Sequence, residues 1–215
     1  MQAFSDLAVA AYCPRKLYYR RDDDRAIPPE VRQIRDLAFR YEELLDAGTD
    51  LTEEPIAVTP TQYRSALGGA KARLDAWAEL ADPPKRRVLI EGKDCRGIAH
   101  KLLSVGPTVV SAGEPPPQGV WKPQSVRATA AAKALSYERG ETITTAFVEY
   151  PAVGVIRRIE VTGRRKAEYR RTLEAAEALD GDGEPPPRLD DETKCESCAY
   201  RGDCGVRTRS LRSLL

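Results

Sequence analysis

The feature that most constrains this chain is a cluster of three cysteines near the end of the sequence. Cys195, Cys198 and Cys204 follow one another with the spacing C-x2-C-x5-C. The short C-x2-C step lets two thiolates bind one metal centre, and the third cysteine, placed after a Gly-Asp turn, can complete one side of the site. A tetrahedral zinc ion or an iron–sulfur cube needs a fourth ligand. The fold must therefore bring another part of the molecule to this segment.

Three residues elsewhere in the sequence can supply the fourth ligand: Cys13, Cys95 and the only histidine, His100. Pro14 breaks the end of a predicted short helix just after Cys13, and a thiol at a helix end is free to point outward. We therefore prefer Cys13, which leaves Cys95 as a free thiol and His100 as an ordinary, partly buried histidine. An odd cysteine count without a secretion signal argues against a disulfide framework. Spacing alone does not separate zinc from iron–sulfur.

The order of predicted elements indicates a single mixed α/β domain over residues 1–215, whose two ends meet if the cysteines share one metal. Helices are predicted over 6–12, 28–48, 124–140 and 163–179. Strands are predicted over 56–58, 71–80, 86–93, 142–150 and 154–161. Because residues 71–80 alternate and 86–93 have an apolar middle, we expect these two segments to pair as an antiparallel hairpin.

Charge is balanced overall but uneven along the chain. The 34 Lys and Arg residues nearly cancel the 33 Asp and Glu residues, so no global field favours nucleic acid or membrane. Locally, basic residues dominate from Arg157 to Arg171 and again from Arg201 to Arg212. These stretches are either solvated faces or a phosphate-binding surface. With no apolar run of about 20 residues and no basic leader, the sequence predicts a cytoplasmic protein.

The predicted hairpin carries a second chemical pattern. Glu91 and Lys93 are two residues apart on one strand and so share a face, and Asp75 can lie opposite them. Two carboxylates at one point suit Mg2+ or Mn2+, and such a metal activates water for attack on a phosphodiester. Asp94 and Glu79 are further carboxylates close by. A surface hairpin with a cross-strand salt bridge is the alternative interpretation.

Taken together, these motifs resemble the CRISPR-associated RecB-like iron–sulfur exonuclease family, the fourth Cas protein family, which belongs to the PD-(D/E)xK nuclease superfamily. The resemblance runs from Ser5 to about Cys204 and implies a restriction-endonuclease-like core, with a mixed central sheet flanked by helices. It implies that segments 1–21 and 190–206 form a subregion around a [4Fe–4S] cluster. It further implies a DNA exonuclease that acts on single-stranded ends and trims new-spacer DNA for the CRISPR integrase complex. The implied ligands of the cluster are Cys13, Cys195, Cys198 and Cys204; those of the catalytic Mg2+ or Mn2+ are Asp75 and Glu91; Lys93 completes the active site.

Two positions depart from the family's pattern. The family usually has a metal-site histidine on the long N-terminal helix, where this chain has Tyr41, with Glu42 or Glu43 as a replacement oxygen ligand. The family's Gln-x-x-x-Tyr motif is matched in neither of two registers, Gln124 with Ala128 or Thr129 with Lys133. These departures predict weakened cleavage. Two alternatives to the nuclease therefore remain. One is a catalytically silent module that binds DNA or the integrase complex. The other is an α/β domain stabilised by zinc, in which Glu-Gly-Lys has no catalytic role.

Overall fold

A mixed six-stranded sheet organises the molecule in the computed structural model, which describes residues 1–21, 26–179, 184–189 and 191–205. The strands are β1 (Gln2–Ala3), β2 (Lys85–Glu91), β3 (Cys95–Leu103), β4 (Gly106–Val110), β5 (Thr145–Tyr150) and β6 (Val155–Glu160). The helices are α1 (Phe4–Tyr12), α2 (Pro14–Arg20), α3 (Pro29–Asp36), α4 (Tyr41–Leu45), α5 (Pro60–Arg73), α6 (Trp77–Ala81), α7 (Lys122–Arg139), α8 (Gly163–Glu177) and α9 (Glu192–Glu196). Short 3-10 helices occupy Leu37–Phe39 and Pro151–Val153.

The strand order of the sheet is β1-β3-β4-β5-β6. β2 lies outside this order and pairs with β3. β3 runs antiparallel to β2 and to β4, whereas β1 and β3 are parallel, as are β4 and β5. The last pair, β5 and β6, is antiparallel. This mixture confirms the predicted α/β class with a mixed central sheet flanked by helices.

Helices cover both faces of the sheet. On β5, Ala146 and Val148 pack into a core with α1, α7 and α8, while Phe147 between them packs into a second core with the residues of α4 and α5. Successive strand residues point to opposite faces, so this alternation shows that the central strands are buried on both sides. The result is a three-layer arrangement of helices, sheet and helices.

Helix α7 is the best predicted element. Its run of alanines packs against the sheet, and Gly140 ends it in the left-handed conformation with φ 68°. The strands β5 and β6 and the helix α8 also lie where the sequence predicts them. No helix in the described part of the chain is both long enough and apolar enough to cross a bilayer.

The predicted first strand of the hairpin is wrong. Residues 71–80 form the end of α5, a turn and most of α6, because α5 begins with a capping box between Thr59 and Gln62 and continues to Arg73. The alternation that favours a strand here comes from a helix end followed by a turn. The true hairpin joins β2 to β3, and the sequence analysis missed both β3 and β4.

Two smaller corrections concern the N-terminal half. The helix predicted from Pro28 to Gly48 is divided into α3, a 3-10 turn and α4. Residues 56–58 are not a strand, although Ala57 donates a backbone hydrogen bond of 2.7 Å to the carbonyl of Ala152. Residues 22–25, 180–183, 190 and 206–215 lie outside the described residues. Three cations of the second basic stretch are among them: Arg207, Arg209 and Arg212.

Candidate functional site

Four cysteines from opposite ends of the chain line one small cavity. Cys13 lies between α1 and α2, Cys195 is part of α9, and Cys198 and Cys204 follow in the turns after it. All four thiols are free and partly buried. The fold therefore brings together the set that the sequence predicts, including Cys13 as the member from the N-terminal segment.

Contacts outside the cysteines hold the two ends together. The Tyr12 hydroxyl donates a hydrogen bond of 3.0 Å to the carbonyl of Lys194, and the Arg15 guanidinium donates one of 2.8 Å to the carbonyl of Pro186. The rings of Tyr19 and Tyr200 stack with centroids 6.3 Å apart. Residues of α1 and α2 therefore contact the C-terminal segment directly, in addition to any link through the thiols.

The thiols are close enough to influence one another. The pKa of Cys195 is raised, first by burial and then by the neighbouring sulfurs of Cys204, Cys13 and Cys198. A set of four thiolates is a soft donor set, which suits zinc or an iron–sulfur cluster. As the side chains stand, no group of three or more His, Cys, Asp and Glu residues within the described ranges is positioned to hold a metal ion.

The other two candidate ligands lie elsewhere. Cys95 is buried at the start of β3, where the Tyr169 hydroxyl donates to its sulfur at 3.2 Å. His100 is 7% exposed on the same strand, and its Nδ1 accepts the backbone N–H of Val110 at 3.1 Å. Neither lines the cysteine cavity, so Cys95 is a separate thiol and His100 is a buried histidine, as the sequence analysis prefers.

Glu91 and Lys93 remain together at one end of the β2–β3 hairpin. Glu91 ends β2, pairs in register with Arg96, and has its carboxylate 3.7 Å from that guanidinium. Lys93 is exposed in the turn and lines a groove with Asp94 and Lys133. The geometry at Glu91 matches the alternative interpretation, a cross-strand ion pair on a surface hairpin.

Asp75 lies at the far end of the sheet. It is exposed in the turn between α5 and α6 and lines a cleft with Glu79 and Ser104, next to the β3–β4 turn. Ser104 lies eight positions after Arg96, the partner of Glu91, along nearly continuous strand, which is about 26 Å at 3.3 Å per residue. The structure therefore does not bring Asp75 to Glu91 and Lys93, because its segment is not the strand that pairs with β2.

The proposed substitutes for the missing histidine are also engaged. Tyr41 is fully buried, and Glu42 accepts hydrogen bonds from Lys71 at 2.7 Å and from the Trp77 indole at 2.6 Å. Glu43 is held by Arg40. All three lie on the α4–α5 side of the sheet, where they stabilise the packing of helices.

The two registers weighed for the Gln-x-x-x-Tyr motif lie along α7. The Gln124 side-chain amide donates a hydrogen bond of 3.2 Å to the Ser111 hydroxyl, and Thr129 is fully buried. Lys133 places its ammonium 5.5 Å from the centre of the Tyr169 ring. None of these side chains reaches Asp75.

The basic stretch from Arg157 to Arg171 is only partly free. Arg158 is paired with Glu160 at 2.9 Å, and Arg165 donates to the Ser125 hydroxyl and to the carbonyl of Glu160. The exposed cations that remain on α8 are Arg164, Arg170 and Arg171, which make no ion pair with another described residue. They form a short cationic face on the outside of α8.

The structure contains a cavity lined by four arginines that the sequence does not predict. It lies between α3, the β2–β3 hairpin, the start of α1 and the middle of α7, and its cationic lining residues are Arg32, Arg35, Arg87 and Arg127. His100 lies at its inner wall. No local pattern marks these residues, because they come from separate segments that only the folded chain brings together.

A scan against protein-family models and a search of curated proteins both find no match to the chain.

Proposed function

We propose that this protein is a DNA-binding module of the RecB-like iron–sulfur type, in which the four cysteines hold a [4Fe–4S] cluster that joins the chain ends. The observation that carries the proposal is the cavity lined by Cys13, Cys195, Cys198 and Cys204. It fits the split arrangement, one cysteine near the start and three near the end, on which the resemblance to the CRISPR-associated family rests.

The choice of a cluster rather than a single zinc ion follows the resemblance, since a set of four thiolates suits both. Zinc requires all four sulfurs about 2.3 Å from one point. An iron–sulfur cube has one iron at each of four corners, so each thiolate binds a different iron and the sulfurs stay farther apart. Iron, sulfide and zinc contents of the purified protein therefore separate the two groups.

The role that the cluster would have is structural. When bound, it supplies four metal–sulfur links between the N-terminal helices and the C-terminal segment, and such binding energy adds directly to folding energy. The protein's own residues prepare this junction: Tyr12 and Arg15 bond to the backbone of the C-terminal segment, and Tyr19 stacks on Tyr200.

The proposed partner is DNA, with single-stranded ends and the CRISPR integrase complex as the partners implied by the resemblance. The cationic face of α8, formed by Arg164, Arg170 and Arg171, suits contact with a phosphate backbone. Binding through such a face is independent of sequence and weakens as salt rises.

Metal-dependent exonuclease activity stays a prediction from the sequence. It depends on Asp75 acting with Glu91 and Lys93, and the described fold separates Asp75 from the other two. Binding without cleavage at this triplet is therefore the function that the geometry supports best. The implied ligands of Mg2+ or Mn2+, Asp75 and Glu91, lie apart, and Glu91 is paired with Arg96, so the described residues do not fit that metal at this triplet.

The first experiment tests the cluster. Protein purified without oxygen is expected to be brown, with about four irons and four sulfides per chain. Cys195→Ser should lose the iron and melt at least about 10 °C lower, because structural metal sites contribute many kcal/mol. Cys95→Ala, which removes a thiol outside the cavity, should keep the iron. Colourless protein containing one zinc would reject the cluster.

The second experiment tests the activity. Labelled single-stranded DNA is incubated with the protein in EDTA to measure binding, and with Mn2+ to measure degradation. We expect binding that falls steeply with salt, no degradation, and weaker binding by the double variant Arg170→Gln, Arg171→Gln. Degradation in Mn2+ that is lost in both Asp75→Ala and Glu91→Ala would instead establish the exonuclease.

A further inference from the structure

The cavity of four arginines is the strongest unexplained feature of the described structure. It encloses about 470 Å3, within the range of small-molecule sites, and opens to solvent beside Ile27 and Ile98. Its polar lining consists of five cationic or basic side chains and only two others, Ser5 and Asp36; the basic ones are Arg32, Arg35, Arg87, His100 and Arg127.

Among the described lining residues, Asp36 carries the only negative charge, and its carboxylate is already paired. It accepts a hydrogen bond of 2.5 Å from Arg87. Arg35 and Arg127 form no ion pair with any described carboxylate, and the Nε atom of each is buried without a hydrogen-bond partner. Charged groups are rarely buried without a partner, because loss of hydration is expensive.

The electrostatic consequence is visible at two residues. The pKa of Arg127 is lowered to about 10, mainly by burial and then by the charges of Arg35 and Arg20. The pKa of His100 is lowered well below its usual value, again mainly by burial and then by Arg127 and Arg35. Both shifts indicate a field that is positive from several directions.

The backbone at Arg87 supports a specific role for this lining. Arg87 has φ 51°, which makes it the only residue other than glycine with a positive φ among those described. Its neighbours Arg86 and Val88 pair normally with Lys101 and Ala99, so the strain is confined to the position opposite His100. Strain of this kind costs free energy and persists mainly at functional sites.

We propose that this cavity binds a phosphate group. Guanidinium groups bind phosphate oxygens through paired N–H donors, and their charge is stable over the whole physiological pH range. Bound phosphate would give the buried Nε atoms of Arg35 and Arg127 acceptors and would offset their charge. The remaining space accommodates the group to which the phosphate is attached.

Two sources share this chemistry: a terminal phosphate of DNA, and a free phosphate or nucleotide. The first source rests on the proposed function, whereas phosphate binding itself does not. The cavity is separate from the cationic face of α8, so variants can test the two surfaces independently.

The experiment measures binding and thermal stability with inorganic phosphate, a nucleoside monophosphate, and one oligonucleotide with either a 5′-phosphate or a 5′-hydroxyl. Ionic strength is held constant with chloride. The wild-type melting temperature should rise with phosphate, and Arg127→Gln should weaken phosphate binding at least tenfold. Arg139→Gln is the matched control, since it removes the same charge from the same helix outside the cavity.

Each outcome separates the alternatives. Tighter binding of the 5′-phosphorylated oligonucleotide, lost in Arg127→Gln, assigns the cavity to DNA ends. Phosphate binding without any DNA binding supports the cavity as a phosphate site and rejects the proposed function. An equal response of wild type and Arg127→Gln to every phosphate compound, or no response at all in wild type, overturns the inference even when DNA binds elsewhere. Arg35→Gln, tested in the same way, guards against a folding defect in one variant.

Discussion

Two groups of cations in this protein, one fully buried and one half-buried, have opposite surroundings. Lys101 is completely buried, but its ammonium lies 2.6 Å from the Glu149 carboxylate and donates to the carbonyl of Leu80 at the same distance. Arg35 and Arg127 lie half-buried among other cations and have no carboxylate partner among the described residues. A buried charge whose counter-charge comes from the protein needs no ligand. A charge without a counter-charge lowers the stability of the fold unless a ligand supplies one.

The difference shows how a structural ion pair can be distinguished from a candidate site. The Lys101 ammonium also lies 4.4 Å from the centre of the Tyr41 ring, so its surroundings leave no room for a ligand. The arginine cavity has that space, and its described lining has four arginines against the single carboxylate of Asp36. If this distinction holds, removing a charge should have opposite effects on stability at the two places.

The largest effect is expected at the compensated pair. Glu149→Gln leaves the Lys101 ammonium buried without a counter-charge and should reduce the free energy of unfolding by about 3–5 kcal/mol. Thermal or urea unfolding measures this change. Glu160→Gln, which breaks the exposed pair with Arg158, is the control and should cost less than about 1 kcal/mol.

A double variant sharpens the same point. Replacement of both Lys101 and Glu149 by methionine should recover most of the stability lost in Glu149→Gln, because no charge is then left buried. A loss below about 1 kcal/mol in Glu149→Gln would show that Lys101 does not need its partner, and the distinction between the two regions would fail.

The next effect concerns pH. Burial, followed by the nearby guanidinium of Arg127, lowers the pKa of His100 in the folded state. The unfolded chain therefore binds a proton near pH 6.5 that the folded chain does not, and stability should fall as the pH drops below that value, by up to about 1.4 kcal/mol per pH unit. Unfolding measured between pH 7.5 and 5 should show a weaker slope in His100→Gln; identical slopes would remove His100 as the cause.

The smallest effect is expected in the uncompensated region. Without added anions, Arg127→Gln should leave stability unchanged or raise it by about 1 kcal/mol, because it removes a desolvated charge that has no carboxylate partner among the described residues. Unfolding in chloride buffer, compared with Arg139→Gln, provides the measurement. A loss above about 2 kcal/mol would mean that the guanidinium already has a favourable partner within the fold.

Local signals predicted several elements correctly for clear physical reasons. The alanine run of α7 and its glycine terminator specify that helix, and β5 and β6 follow from compact apolar segments rich in β-branched and aromatic residues. The segment 71–80 failed because a helix end and a following turn produce the same alternation as a half-buried strand. The strands β3 and β4 were missed because Gly97, Lys101 and Gly106 interrupt their apolar pattern.

The sequence by itself predicted which four cysteines line one cavity, because a C-x2-C-x5-C metal site needs a fourth ligand and Cys13 stands at a helix end. Only the tertiary structure decided the rest of the candidate chemistry. It placed Asp75 at the opposite end of β3 from Glu91, since pairing partners are chosen by long-range strand register. It also assembled the arginine cavity from α3, β2 and α7, where repulsion between like charges is tolerated only because the packed helices and sheet hold them in place.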